Sequence, residues 1–216
     1  MFDRRLLELR LAAAQEEQRK VSYLFEFASA AIQDALSLQR YTYEVHGFFP
    51  HYLPACTKLG LPKLCISYLE LQHEALPHEL LAKRATSLDG AGVLLGCFFG
   101  GGTLSALRQL LAIGNTFVPR IFPMLTAQSV ASLLQDLGLY NVVVNKRVMK
   151  VDYGNVWSLL RDLRAMGATN VLSQTASVGM SRAQYTQLQE AEGQFREQFE
   201  LVIFLATINQ DEFDCF

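Results

Sequence analysis

The segment GVLLGCFFGGGTLSALR, residues 92–108, decides the fold class of this chain. It begins with a continuous apolar run from Val93 to Phe99, which is typical of a strand buried on both faces of a sheet. Three glycines follow this run, and residues with helical spacing begin near Thr103. A buried strand that turns tightly into a helix is the building unit of an α/β sheet.

The segment VDYGNVWSLLRDLRAMGATNVLS, residues 151–173, repeats this pattern further along the chain. It joins the end of a strand to an amphipathic helix that ends at Gly167. Leu159, Leu163 and Met166 keep helical spacing, so we expect them to lie in the core.

Similar patterns fill the rest of the chain. The predicted strands are 41–45, 64–69, 141–151 (with a kink near Asn145) and 201–208. The predicted helices are 2–38, 52–59, 77–87, 103–113, 127–137, 155–166 and a long polar helix over 181–198. Strands that alternate with helices predict an α/β sheet with helices on both faces.

Length and composition indicate one globular domain. The chain has 216 residues, of which 50% are hydrophobic and 19% are charged. This length suits one core, so we predict a single domain over 1–216, with a helical segment at 1–38 and two halves at 39–113 and 114–216. The formal net charge is −2 and the cations are scattered, so the sequence gives no support to nucleic-acid binding.

Metal sites and membrane spans also lack a signal in the sequence. The four cysteines have no CxxC spacing, which indicates free thiols in a reducing compartment. His46 and His51, like His73 and His78, do not have the i, i+4 spacing of a helical metal pair. The apolar run 201–206 is too short to cross a bilayer, and the N-terminus does not resemble a secretory signal. We therefore expect a cytoplasmic protein with no metal and no membrane span.

Six landmarks occur in order along the chain. They are Phe2-Asp3-Arg4, SYLELQH at 67–73, LDG at 88–90, FGGGTLSALR at 99–108, Pro119-Arg120 and MGATN at 166–170. Together they resemble the methyltransferase family that contains the malonyl-carrier-protein methyltransferases of biotin synthesis (BioC-like) and a related mitochondrial complex I assembly factor. The resemblance is clear over residues 62–172.

This resemblance implies a Rossmann-like class I methyltransferase sheet of seven strands. It also implies S-adenosylmethionine as cofactor, bound across the carboxyl ends of the first strands. The family has a glycine-rich turn after its first strand and a carboxylate after its second. In this chain only Gly47 remains of the turn, and barely a dozen residues separate Tyr52 from the strand at Leu64. We therefore predict a truncated sheet, shortened in its cofactor-binding half.

The resemblance also supplies the candidate site residues. The cofactor-binding candidates are Gly47, Gln72 and His73. The substrate-binding candidates are Gly101, Arg120, Tyr153 and Asn170. For each of them a structural role is the alternative: a tight turn for the glycines, and simple surface or core positions for the others.

Two functions follow from the resemblance. The first is an S-adenosylmethionine-dependent methyltransferase-like protein related to BioC, acting on a carboxylate or another small acceptor. The alternative is a catalytically inactive homologue that acts as a protein-binding or assembly factor. Because a shortened sheet exposes an edge or an apolar face, we also expect a homodimer or a protein partner.

Overall fold

The computed structural model describes residues 5, 9, 10, 22–35, 42–47, 52, 53, 63–88, 90, 92–112, 121–166, 181–190, 193 and 195–209. The described helices are α1 (Ser22–Ala35), α2 (Pro77–Thr86), α3 (Ser105–Leu111), α4 (Ala127–Asp136), α5 (Val156–Ala165) and α6 (Arg182–Glu190). The described strands are β1 (Thr42–Gly47), β2 (Lys63–Tyr68), β3 (Val93–Phe99), β4 (Tyr140–Tyr153) and β5 (Phe195–Thr207). The chain therefore has the α/β fold that its sequence predicts.

The five described strands form one mixed sheet in the order β1-β2-β3-β5-β4. β1, β2 and β3 are parallel neighbours, with Gly47 opposite Tyr68 and Tyr68 opposite Cys97. β5 is antiparallel to β3, and Phe99 lies opposite Leu201. The described residues contribute five strands to this sheet, and the predicted truncation from the seven strands of the family stays a prediction.

Contacts divide the chain into two compact units. Unit 1 comprises Met1–Tyr23, Gly102–Pro123 and Val148–Phe199. Unit 2 comprises Leu24–Gly101, Met124–Arg147 and Glu200–Phe216. The expected single domain over 1–216 stays a prediction.

Unit 2 contains helices on both faces of its sheet. On one face the strands pack against α2 and α4 in a cluster of buried residues: Cys65, Leu71, Leu81, Leu88, Leu94, Phe98, Val130, Leu134, Leu139, Val202, Phe204 and Ala206. On the other face the Tyr68 hydroxyl donates to the backbone oxygen of Phe25 in α1, at 2.6 Å. Cys65 and Tyr68 point to opposite faces because side chains alternate along a strand.

Unit 1 is built around α5, α6 and the first half of β5. α5 buries Val156, Leu159 and Leu163, as its helical spacing predicts. α6 begins with a capping box, in which the Gln184 N–H donates to the Ser181 hydroxyl and the Ser181 N–H donates to the Gln184 side-chain oxygen. The predicted cap at Ser181 is therefore confirmed.

The predicted long helix over 181–198 is wrong in its second half. α6 ends at Glu190, and β5 begins at Phe195. Phe195, Glu197 and Phe199 are buried while Arg196 is exposed, which is the two-residue period of a strand. Gly193, with φ of 133°, stands between the two elements and was the local signal that the helix stops.

The remaining boundaries differ from the predictions by a few residues. β3 and the start of α4 match, and the Thr126 hydroxyl caps α4 by accepting from the Ser129 N–H. β4 runs through Asn145 without interruption. α1 confirms part of the predicted helix 2–38, whose other residues lie mostly outside the described set. In the described part of the chain no helix is long and apolar enough to cross a membrane.

We expect Gly96→Ala to destabilise the protein. A Cβ atom at residue 96 would lie 2.3 Å from the Phe204 ring and 2.9 Å from the Ser67 backbone oxygen. Phe204 is fully buried, so the ring has no free space to move into, and overpacking of this kind costs about 1–3 kcal/mol. Urea denaturation measures the loss. Gly154→Ala is the control, since a Cβ there meets nothing within 4 Å, and equal stability of the two variants would contradict the prediction.

Candidate functional site

The carboxyl ends of β1, β2 and β3 lie at one edge of the parallel part of the sheet. β1 ends at Gly47, β2 ends at Tyr68 and β3 ends at Phe99. Open α/β sheets bind their ligands outside the carboxyl ends of parallel strands. The three residues predicted to bind a cofactor, Gly47, Gln72 and His73, all lie at this edge in unit 2.

Residue 47 must be a glycine because β1 and β2 lie close together at this point. Its φ is 122°, and a Cβ atom would lie 2.0 Å from the Tyr68 backbone oxygen and 2.7 Å from the Glu70 Cγ atom. Only glycine tolerates both the backbone conformation and the close approach. The space beside Gly47 is thus filled by the chain itself, and a larger residue here would disturb the fold as well as any ligand.

Glu70 occupies this edge with a carboxylate whose two oxygens both accept hydrogen bonds. It accepts from the Ser67 hydroxyl at 2.8 Å and from the Arg84 Nε atom at 3.1 Å, and Arg84 Nη2 lies 2.5 Å from its second oxygen. The two side chains are only 10% and 13% exposed. Sequence reasoning missed this pair, although an acidic residue directly after a buried strand was a visible signal.

Gln72 ties the end of β2 to the end of β3. Its side-chain oxygen accepts from the Phe99 backbone N–H at 2.9 Å, and the residue is 8% exposed. Its amide nitrogen then faces the Nε2 atom of His73 at 3.4 Å. Because the amide nitrogen only donates, this arrangement places the His73 ring proton on Nδ1.

Burial keeps the His73 ring neutral. Desolvation of the charged form lowers the pKa of His73 to about 4. The side chain therefore offers a neutral imidazole at this edge around pH 7, with Nε2 turned toward Gln72.

His46 has a buried ring nitrogen with an unmet hydrogen bond. Its Nε2 atom makes no hydrogen bond to any group in the described part of the chain, and Glu44 Oε1 lies 3.5 Å away. His46 directly precedes Gly47 and lies opposite Ser67 in the sheet register. In the sequence His46 belongs to a histidine pair without metal-ligand spacing, and it is not among the predicted site residues.

The glycine loop after β3 donates its N–H groups to the protein. The Gly100 N–H donates to the Glu200 backbone oxygen at 2.8 Å, and the Gly101 N–H donates to the Leu125 backbone oxygen at 2.9 Å. These two groups are consequently not available to seat an anion. The geometry favours the tight-turn role for Gly101, while its role in substrate binding stays a prediction.

Tyr153 lies in a polar cluster of unit 1. The Tyr23 hydroxyl donates to Asp162 at 2.9 Å, and the two tyrosine hydroxyls are 2.8 Å apart. Since Tyr23 gives its proton to Asp162, Tyr153 donates to Tyr23 and keeps only acceptor capacity for a ligand. Burial raises the pKa of both tyrosines, that of Tyr23 to about 12.

The other two predicted substrate contacts, Arg120 and Asn170, lie outside the described residues.

The described residues contain no candidate metal site. No group of three or more His, Cys, Asp or Glu side chains among them could hold a metal ion. Cys65 and Cys97 are buried free thiols, and burial raises the pKa of both.

The chain is similar to proteins named as methyltransferases and to one named as an arginine-hydroxylase. A protein of Rickettsia prowazekii, named as an inferred methyltransferase, is 26% identical over 58% of this chain and 58% of its own length. The malonyl-(acyl-carrier protein) O-methyltransferase of Xylella fastidiosa is 30% identical over 64% of this chain and 48% of its own. The mitochondrial arginine-hydroxylase NDUFAF5 of Mus musculus is 33% identical over 37% of this chain and 24% of its own.

The chain spans about half the length of the first two relatives. No family model matches it. Among solved structures, that of an inferred methyltransferase from Bacillus halodurans is 9% identical, covers 68% of this chain and 64% of its own, and has a TM-score of 0.41. That likeness is too weak to bear on fold or function.

Glu70→Gln should destabilise the protein strongly, since it leaves Arg84 buried beside a neutral amide. Breaking one side of a buried ion pair costs about 3–5 kcal/mol. Urea denaturation of Glu70→Gln, Arg84→Met and the double variant measures the coupling between the two residues. Asp152→Asn is the control, because its partner pair with Arg196 is exposed and should contribute little. Additive effects at Glu70 and Arg84 would contradict the assignment.

We expect the free energy of unfolding to fall as the pH drops from about 6.5 toward about 4, because the pKa of His73 is depressed in the folded state and ordinary in the unfolded state. Protons then bind the unfolded chain preferentially, with a slope of at most about 1.4 kcal/mol per pH unit from this group. Urea denaturation across this range tests it, with His73→Gln as the variant that should lose this component. An NMR titration that protonates His73 near pH 6.5 would refute the prediction.

Proposed function

We propose a function from the premise that this chain is a class I methyltransferase homologue of the BioC-like kind. The proposed function is S-adenosylmethionine-dependent methyl transfer to a carboxylate or another small acceptor. One relative is named for such a transfer, to a malonyl group on a carrier protein. Because the chain spans about half the length of these relatives, its own reaction is a proposal.

The observation that carries this proposal is the shared edge of β1, β2 and β3. Parallel pairing aligns the ends of these strands, so Gly47, Glu70 and Gln72 lie around one edge of unit 2. This is the position at which open α/β sheets bind nucleotide-like ligands. The predicted cofactor residues lie at this edge.

Of the described residues at this edge, His46 fits the cofactor and Glu70 does not. S-adenosylmethionine, when bound, supplies an electrophilic methyl group. His46 fits it, because a buried Nε2 atom without a hydrogen bond to the described groups can pair with a cofactor hydroxyl or amino group. Glu70 does not fit, because both oxygens of its carboxylate are taken by Ser67 and Arg84. Glu70 therefore offers the ribose hydroxyls no free carboxylate oxygen.

The closed Glu70 cluster favours a second candidate function. In this alternative the chain is a catalytically inactive methyltransferase homologue that binds a protein partner or assembles another protein. An ion pair that fills the edge beside Gly47 stabilises the protein without a ligand, which a protein-binding homologue would retain. A homodimer or a partner protein, a cytoplasmic location and a single domain belong to the proposal under either function.

Calorimetric titration with S-adenosylmethionine and S-adenosylhomocysteine separates the two functions. The first predicts a Kd of about 10 μM or tighter, weakened about tenfold by His46→Leu. His46→Leu should not lower the melting temperature of the free protein, since it removes a buried nitrogen atom without a hydrogen bond, and a contact at 3.5 Å with the largely exposed Glu44 contributes little. His78→Gln is the control, because His78 is exposed on α2.

Absence of both heat and thermal shift at millimolar cofactor would overturn the first function and leave the inactive homologue. Cofactor binding that His46→Leu does not change would retain the methyltransferase function and refute the role of His46.

A further inference from the structure

We propose that Arg108 anchors an anion-binding site in unit 1, which takes a ligand group with two adjacent oxygens, a carboxylate or a phosphate. This site goes beyond the proposed function and does not depend on cofactor binding, since none of its residues belongs to the strand edge of unit 2.

The guanidinium of Arg108 has a hydrogen bond at Nε and none at Nη2 within the described residues. Its Nε atom donates to the Thr103 backbone oxygen at 3.3 Å. Its Nη2 atom is buried and makes no hydrogen bond to any group within the described residues. An arginine presents its nitrogen atoms as a planar fork, so an oxyanion that accepts from Nη2 can direct its second oxygen toward Nη1.

Glu197, the carboxylate that acts on Arg108, is engaged elsewhere. It is 1% exposed and holds three backbone N–H groups. One oxygen accepts from Ala106 at 3.2 Å and from Gln198 at 2.9 Å, and the other accepts from Leu107 at 2.8 Å. Glu197 therefore stabilises the first turn of α3 and makes no hydrogen bond to Nη2 in the described structure. Burial lowers the pKa of Arg108, and the charge of Glu197 offsets this only in part.

Because Nη2 of Arg108 is buried, its missing hydrogen bond costs free energy of folding. Desolvation lowers the pKa of Arg108, which means that the charged form has lost contact with water that the protein does not fully replace. Buried polar groups without a partner are rare in native proteins, and a ligand is one of the accepted reasons for them. An oxyanion would supply both the missing acceptor and the missing negative charge.

Three other described arginines have their own carboxylates. Arg84 pairs with Glu70, Arg147 with Asp34 and Arg196 with Asp152. No such pair is formed by Arg108 within the described chain, although its Nη2 atom is buried. The difference points to an anion that comes from outside the chain.

Malonate and inorganic phosphate are the probes, titrated into the full chain by calorimetry and thermal shift against chloride at equal ionic strength. We expect at least one of them to raise the melting temperature of the wild type. Arg108→Gln should lower the affinity for that anion about tenfold or more, because charge-assisted hydrogen bonds are lost. Arg161→Gln, on the exposed face of α5, should behave as the wild type. Binding of malonate alone identifies a carboxylate ligand, and binding of phosphate alone identifies a phosphate ligand.

Three results would overturn the proposal. The first is that neither anion stabilises the wild type at tens of millimolar, and the second is that Arg108→Gln binds as the wild type does. The third is that Arg108→Gln and Arg108→Lys both melt well below the wild type without any anion, which would show that the guanidinium is structural. Titration of Arg108→Gln with S-adenosylhomocysteine keeps this result separate from the proposed function, since cofactor affinity should not change.

Discussion

The burial of β3 is the constraint on which the sheet depends. All seven of its residues are buried, and it pairs with β2 on one side and with β5 on the other. Packing at this density needs a residue without a side chain at Gly96, because the Phe204 ring lies over that position. The end of the same strand then fixes the candidate site, since the Phe99 N–H holds the Gln72 side chain.

The polar groups at the carboxyl edge mainly satisfy one another. Glu70 binds Ser67 and Arg84, and Gln72 binds the β3 backbone and faces His73. Such an edge is stable without a ligand, whereas a binding site normally leaves polar groups open. A cofactor that binds at this edge therefore competes with hydrogen bonds that the chain already makes.

Two buried nitrogen atoms stand apart from this pattern. His46 Nε2 in unit 2 and Arg108 Nη2 in unit 1 are the buried side-chain atoms of the described residues that form no hydrogen bond there. Each costs stability, since burial has removed its water without supplying a hydrogen bond from the described residues. Both were visible in the sequence, Arg108 within the family landmark and His46 beside Gly47, but no local pattern marks an unmet hydrogen bond.

The sequence by itself determined most local elements and the α/β class, because continuous apolar runs, helical spacing and cap residues act over a few neighbours. The similarity to methyltransferases rested instead on landmark residues in order along the chain. It misled at 181–198, where polar composition was given more weight than the alternation of Phe195, Glu197 and Phe199. Only the tertiary structure decided that Glu70 binds Arg84 and that Gln72 binds the β3 backbone. It also decided that Glu197 makes no hydrogen bond to the buried Nη2 atom of Arg108. These outcomes depend on which groups the folded backbone brings within about 3 Å of one another, a distance that hydrogen bonding requires and that sequence spacing does not encode.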